Sequence, residues 1–304
     1  MAPGGGLGSF IYALLCGARL LDAPALLEDA IRAASLITSD RINADRALDV
    51  VSGAAGAVLA ILSLYGETGE ARLLETAVLA GHHLMEKRSA SAVGPRAWKS
   101  SSGAQLAGFA HGASGIALAL ARLYAVTGER AFLDAAEDGF AYERGIFVPD
   151  AKNWPDLRSR ASEHGEPACM TAWCHGATGI GLARLAVLAV LDTPEIRQDL
   201  ETALQTTAAH GPEGLDGLCC GEMGRVELLL SAGLQLARPD LVREARHLMQ
   251  AIVRRAAQRD TYRLLHGLPA GSFHPGPFQG TAGIGHQLLR LARPDLRPSV
   301  LLHE

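Results

Sequence analysis

The chain has 304 residues, 48% hydrophobic and 20% charged, which excludes a disordered protein and leaves room for one large domain or two small ones. Its formal net charge of −4 excludes an overall basic field that would recruit nucleic acid or anionic lipid. Aromatics are only 5%, so the core must come from Ala, Leu, Val and Ile, while the 34 glycines, with no collagen period, must occupy particular backbone positions.

In chain order, a Gly-x-x-Gly element followed by an apolar helical stretch recurs six times. Repeat one carries Gly5/Gly8, then a stretch containing Cys16, and closes with LLDAPALL. The start before it has no basic segment and no cleavage pattern, so no signal peptide is expected. Repeat two carries Gly53/Gly56 within the uncharged run from Val50 to Gly66, which falls short of the roughly 18–20 residues a membrane span needs. It closes with LYGETGEARLLETA. Repeat three carries Gly112/Gly115 and closes with LYAVTGERAFLDAA, so Tyr65, Thr68, Gly69 and Glu70 recur as Tyr124, Thr127, Gly128 and Glu129. Repeat four carries Gly176/Gly179 and closes with VLDTPEI. Repeats five and six carry Gly221/Gly224 and Gly280/Gly283 and share LARPDL. Arg122, Arg184, Arg225 and Glu227 interrupt the apolar runs, which therefore read as helices buried in protein, not in lipid.

Thr-Gly-Glu, Asp-Ala-Pro and Arg-Pro-Asp each stop one helix and start another. Each repeat is thus a helical hairpin: a first helix apolar nearly all round and a second with a charged face, as in Ala71 to Arg88. Apolar helices belong inside and amphipathic ones outside, so the expected class is all-α, six hairpins in an α/α toroid, with an open solenoid as the alternative. The paired glycines are expected where the chain enters each inner helix and backbones crowd together. Residues just before them would then face one cavity.

Those residues are Gly4, Ser52, His111, His175, Cys220 and Gln279, with Cys174 and Cys219 one position further back. Three thiols on two adjacent loops suit one Zn²⁺, and three protein ligands leave an open position of the catalytic kind. The bland reading is three buried small hydrophobes, but their equivalent repeat positions favour the metal. His111 reads as a fourth ligand, a general acid/base or a helix cap; His175 as a ligand or a donor behind one. Asp49 either holds a histidine or caps a helix. Glu222 is placed to be stabilised by a helix N-terminus. Cys16 reads as core and Cys169 as an ordinary loop residue. His82, His83, His164, His210, His247, His266, His274, His286 and His303 show no partner pattern. Five cysteines, an odd count with two adjacent, favour a reducing compartment or a metal over a disulfide framework, so a cytoplasmic location is expected.

AHGASGIALALARLY, AWCHGATGIGLARL, LCCGEMG and FQGTAGIGHQLLRLARPDLRPSVLL resemble the lanthionine synthetase C-like cyclases, most of all the C-terminal cyclase part of class II lanthipeptide synthetases. The resemblance runs over essentially all of residues 1–304. It implies an α/α toroid with zinc at one end, closing thioether rings by adding peptide Cys thiols to dehydroalanine or dehydrobutyrine. By position it implies zinc ligands Cys174, Cys219 and Cys220, the last standing where the family usually has His. It implies His111 and Asp49 as the catalytic histidine and aspartate. No arginine role follows, because Met170-Thr171-Ala172 occupies the stretch where some free-standing members carry one. The family ring usually has seven hairpins; six here imply that the first hairpin and the N-terminal dehydratase region are lacking, with exposed apolar flanks on repeats one and six. The implied partners are a dehydrated precursor peptide and a separate or N-terminal dehydratase. Two rivals stand beside this reading: a non-catalytic module that captures thiol peptides through zinc, and a carbohydrate-active toroid using Asp49 with Glu222.

Overall fold

A computed structural model describes residues 6–158, 168–212, 214–264, 273–296 and 298–304. Gly4, Gly5, His164 and His266, singled out in the sequence, lie outside the described residues. Helices dominate, and the chain divides into two compact units, Met1–Ile146 with His303 and Phe147–Leu302 with Glu304.

The N-terminal unit contains α1 (Leu7–Leu21), α2 (Pro24–Ala34), a short α3 (Ser39–Asn43), α4 (Ala54–Thr68), α5 (Ala71–Glu86), α6 (Ala113–Thr127) and α7 (Arg130–Gly145). A small ribbon, β1 (Arg88–Ser89) with β2 (Ala97–Trp98), lies between α5 and α6 in sequence. α1 packs on α2, α4 on α5 and α6 on α7, and α4 touches both α1 and α6. The C-terminal unit contains α8 (Ala177–Val187), α9 (Pro194–Ala209), α10 (Glu222–Gln235), α11 (Pro239–Arg259) and α12 (Thr281–Ala292). Here α8 packs on α9 and α10 on α11, with α10 between α8 and α12.

The repeated sequence signals act as chemistry requires. Gly69 and Gly128 sit at φ 67° and 71°, and their N–H groups close the ends of α4 and α6 on the carbonyls of Tyr65 and Tyr124. In both turns the preceding threonine hydroxyl bonds back to the helix and accepts the N–H of the glutamate that starts the next one. The first helices α4, α6, α8 and α10 are buried almost all round, whereas α5, α7, α9 and α11 bury one face. α1 and α12 bury one face too, leaving Phe10, Leu21 and Leu289 exposed.

Charges inside the apolar helices pair within their own unit. Arg184 of α8 meets Asp199 of α9, both buried, at 3.0 Å. Glu227 of α10 takes Arg290 and Gln287 from α12, at 2.8 Å each. Removing one partner of such a pair strands a buried charge, so these contacts fix which helix faces which. Among the described residues, no helix is long and apolar enough to cross a membrane.

One repeat differs from its sequence signature. Repeat six supplies α12, but its described remainder forms turns, so the described residues hold five hairpins and a single sixth first helix. Both copies of LARPDL can start a helix at proline. The sixth continues to Pro298, four residues past Pro294, where a proline removes a helical donor and clashes with the preceding turn.

The second glycine of each pair has a definite role. A Cβ at Gly115 would run into the carbonyl of Phe109 and the side chain of Val50, and one at Gly56 into the carbonyl of Val50. At Gly56, Gly115, Gly224 and Gly283 the first helical turn lies directly on its own approaching loop, whereas a Cβ at Gly8 would meet the backbone of Gly56 and Ala57 at the start of α4, the crowding between neighbouring helix ends expected from the sequence. Gly115→Ala should destabilise the protein by about 2 kcal/mol or more. Gly66→Ala, at an exposed α4 position with nothing within 4 Å, should be neutral or stabilising by up to about 1 kcal/mol. Urea denaturation of both variants checks the contrast.

Candidate metal centre

The C-terminal unit brings three loops together just ahead of α8, α10 and α12. The backbone N–H of Cys174 donates to the Cys219 carbonyl at 3.3 Å, and the N–H of Cys219 donates to the Phe278 carbonyl at 2.9 Å. Each of these residues stands two places before the first glycine of its repeat, so the ladder joins equivalent positions. Trp173 stacks on Phe278, ring centroids 5.3 Å apart. Asn153 supports the first loop from behind: its side-chain N–H donates to the Met170 carbonyl, and its oxygen caps α8 by accepting from Ala177 N–H.

This ladder gathers the sulfurs of Cys174, Cys219 and Cys220. Cys220 Sγ lies 3.5 Å from Cys174 Sγ and 3.3 Å from Cys219 Sγ, and all three fall within 4.8 Å of one another. A zinc ion with sulfur ligands at about 2.3 Å in a tetrahedron needs sulfurs about 3.8 Å apart. Two of the observed separations lie just below that spacing, and the third does not exceed 4.8 Å. Among the described residues these three form the group of side chains suited to a metal ion. Their protonation is shared: contacts with the Cys174 and Cys219 sulfurs pull Cys220 well below the usual thiol range. The same kind of contact, from Cys174 and Cys220, pushes Cys219 up, as does burial. For Cys174, the Cys219 contact lowers the thiol, but the Cys220 contact and burial outweigh it. Thiols this close together can exchange their protons for a soft cation.

Two side chains that the sequence reading did not select attend these sulfurs. Gln279 favours the charged form of Cys220, and the Arg158 charge favours that of Cys174 and Cys220. Gln279 was visible as the residue before the first glycine of repeat six. Arg158 had no local signal, because it precedes Cys174 by sixteen residues and reaches the site through a separate segment. His175 is fully buried and lies within electrostatic reach of Asp156. Cys169 sits in a backbone bridge with Pro155, and Cys16 is partly buried in α1.

In the N-terminal unit, His111 Nδ1–H donates to Asp49 Oδ2 at 2.7 Å. Neither residue caps its helix. Ala54 N–H, at the start of α4, is taken by Asp45, and Ser114 N–H, in the first turn of α6, by the buried Glu143. Asp49 Oδ1 accepts from Ser52 N–H at 2.7 Å, so the carboxylate is fixed by the loop while its second oxygen orients the imidazole. That bond sets the tautomer and leaves Nε2 as the nitrogen for proton exchange. Glu222 lies in the first turn of α10, as its sequence position suggested, but it is 1% exposed. It is paired with Arg225 and accepts from Gly214 N–H.

Residues 4–302 match the family of lanthionine synthetase C-like proteins. No curated protein matches the sequence. Among solved structures, the chain is similar to nisin cyclase, with a TM-score of 0.63 at 15% identity, covering 96% of this chain and 76% of that one. It is also similar to an inactive variant of an α-1,6-mannanase from Salegentibacter, with a TM-score of 0.58 at 16% identity over 98% and 89% of the two chains. A cellobiose 2-epimerase from Bacillus thermoamylovorans gives 0.54 at 12% identity over 83% and 76%. These likenesses place the fold in the α/α-toroid class expected from the repeat.

The sulfur cluster makes a direct prediction about composition. The purified protein should carry one zinc per chain, and Cys174→Ala, Cys219→Ala or Cys220→Ala should each weaken binding by more than the roughly 10–100-fold typical of outer groups. Cys16→Ala and Cys169→Ala should leave it unchanged. Elemental analysis after dialysis against a graded chelator checks this.

Proposed function

The chain belongs to the lanthionine synthetase C-like family, and on that premise we propose that it is a zinc-dependent lanthipeptide cyclase. Its substrate would be a dehydrated precursor peptide, and its product a thioether ring formed from a peptide cysteine and a dehydroalanine or dehydrobutyrine. The observation that carries this reading is the convergence of Cys174, Cys219 and Cys220 to within 4.8 Å. Zinc held there would supply a depressed thiol pKa in its remaining position, so that a peptide thiolate exists near neutral pH.

The remaining chemistry falls to the chain and the substrate. The peptide sulfur attacks the β-carbon of the dehydro residue, forming the C–S bond and moving the electron pair of the double bond to the α-carbon. A proton must then reach that carbon. His111 is the proposed donor through Nε2, with Asp49 holding Nδ1–H and stabilising the charged ring. The dehydro residues themselves require a prior dehydration, supplied by a dehydratase acting separately or joined to this chain.

Three cysteinates bring three negative charges where a Cys-Cys-His set brings two. With zinc bound, the richer donor set would make a guest sulfur more nucleophilic and readier to leave. A carbohydrate-acting site based on Asp49 and Glu222 is disfavoured, because Glu222 is buried against Arg225 and cannot meet a sugar.

Incubation with a dehydrated, cysteine-containing peptide followed by thiol alkylation tests the reading. Ring closure should leave the peptide mass unchanged while removing its alkylatable thiol, and a chelator should stop it. Persisting thiols with bound zinc and measurable peptide affinity would favour the capture module instead. His111→Gln should slow closure by about 10²–10⁴-fold with zinc content unchanged. Cys220→His should retain zinc and close rings more slowly; an equal or faster rate would count against the charge argument.

A further inference from the structure

The proposed proton donor depends on where one carboxylate points, and the backbone just ahead of Asp49 decides that. Leu48 carries a left-handed conformation, φ 62°, although it is not glycine, and its side chain is buried. Such backbone is unfavourable for a residue with a Cβ and persists only where its surroundings impose it. Resting on the reading of His111 as proton donor, we propose that Leu48 is a positioning residue, whose left-handed turn, pinned by Asp45, aims the Asp49 carboxylate at His111.

The turn is clamped on several sides. Asp45 Oδ2 accepts the Leu48 N–H at 3.1 Å and the Ala54 N–H at 2.8 Å, and Asp45 Oδ1 accepts the Ala47 N–H at 3.0 Å. The Leu48 carbonyl accepts the Ala55 N–H at 3.1 Å. Gly53 lies against the turn, since a Cβ there would run into the backbone nitrogens of Leu48 and Asp49. Just past the turn, the Asp49 carbonyl accepts the N–H groups of Gly53 and Gly56, at 3.1 and 3.2 Å, and the Val50 N–H donates to the Ala110 carbonyl at 3.1 Å. The main chain of Asp49 is therefore held on both sides, and the residue after it is tied to the residue before His111. Its carboxylate then spans the Ser52 N–H and the His111 Nδ1–H, at 2.7 Å each.

Repeat three builds the same clamp around a glycine. One oxygen of Glu143 accepts the Gly108 N–H at 2.9 Å and the Ser114 N–H at 3.0 Å, six residues apart as Leu48 and Ala54 are. Gly108 has φ 106°. A positive φ is thus required at this point of the loop in both repeats. Glycine meets it without strain ahead of the buried Phe109, whereas leucine meets it ahead of Asp49. A glycine would leave the next residue freer to swing; a buried leucine with a carboxylate on its N–H does not.

The test separates the backbone from the packing. Leu48→Gly and Leu48→Ala both remove the buried side chain, but only glycine takes the left-handed turn freely. Leu48→Val keeps most of the apolar bulk and opposes the turn. Ring closure by the zinc-loaded protein is measured as kcat and KM, with zinc content and thermal unfolding in parallel. The imidazole nitrogens of His111 are observed by nitrogen NMR at mildly alkaline pH and assigned with His111→Gln. Leu48→Ala and Leu48→Val should lose about 10- to 100-fold in kcat with KM and zinc content unchanged, and their His111 proton should move from Nδ1 toward Nε2. Leu48→Gly should melt below the wild type yet keep kcat within about threefold, along with the Nδ1–H form. Wild-type rates and nitrogen signals in Leu48→Ala and Leu48→Val overturn the proposal, and so does a loss of kcat in Leu48→Gly as large as in Leu48→Ala. A wild type that closes no rings overturns the cyclase reading instead, and the His111 nitrogen signals then decide the positioning alone.

Discussion

Everything at the sulfur cluster depends on a pair of backbone hydrogen bonds, Cys174 N–H to the Cys219 carbonyl and Cys219 N–H to the Phe278 carbonyl. They lock three loops in register at the same repeat address. Side chains at that address then meet because the main chain has already met. The helices contribute by holding the loop ends: the buried Arg184–Asp199 pair joins α8 to α9, and Glu227 ties α10 to α12.

The helical hairpins were legible because each is fixed by local chemistry. Thr-Gly-Glu needs a left-handed glycine and two threonine hydrogen bonds, and both copies have them. Proline at the start of α2, α9 and α11 is equally local. The sixth repeat misled because its start signal is intact and its stop, Pro298, lies one turn further on. The three cysteines were legible for the same reason as the hairpins, since repeat alignment gave them one address. Glu143 and Asn153 were not, because each caps a helix from a remote stretch of chain, and nothing in periodicity marks a distant acceptor; Asp45 caps from only nine residues ahead, but outside the repeat address that drew attention to Asp49. Arg158 belongs with them.

The caps also bear on the Asp49–His111 pair. A carboxylate just ahead of a helix normally turns toward the open N–H groups of the first turn. Asp45 and Glu143 fill that need at α4 and α6, so Asp49 Oδ2 is released to face an imidazole. Two acids four residues apart thus divide labour, one for the helix and one for the histidine. Holding a histidine and capping a helix were the two readings of Asp49 in the sequence; its carboxylate bonds His111, while Asp45 takes the N–H at the start of α4.

Repeat symmetry stops short of placing every residue, and the reason lies in the glycine that follows. His175 and Cys220 share a position, each immediately before the first glycine of its repeat. Gly221 has φ −137°, close to the extended values of Gly112 and Gly280, whereas Gly176 lies at φ 84°. The chain therefore leaves His175 along a different path from Cys220. His175 is driven fully inside, within reach of Asp156, while Cys220 stays half-buried against the Cys174 sulfur. A donor set built by strict repetition would have placed an imidazole beside two sulfurs. With Gly176 at φ 84°, His175 is instead fully buried, and the side chains that meet are the three sulfurs.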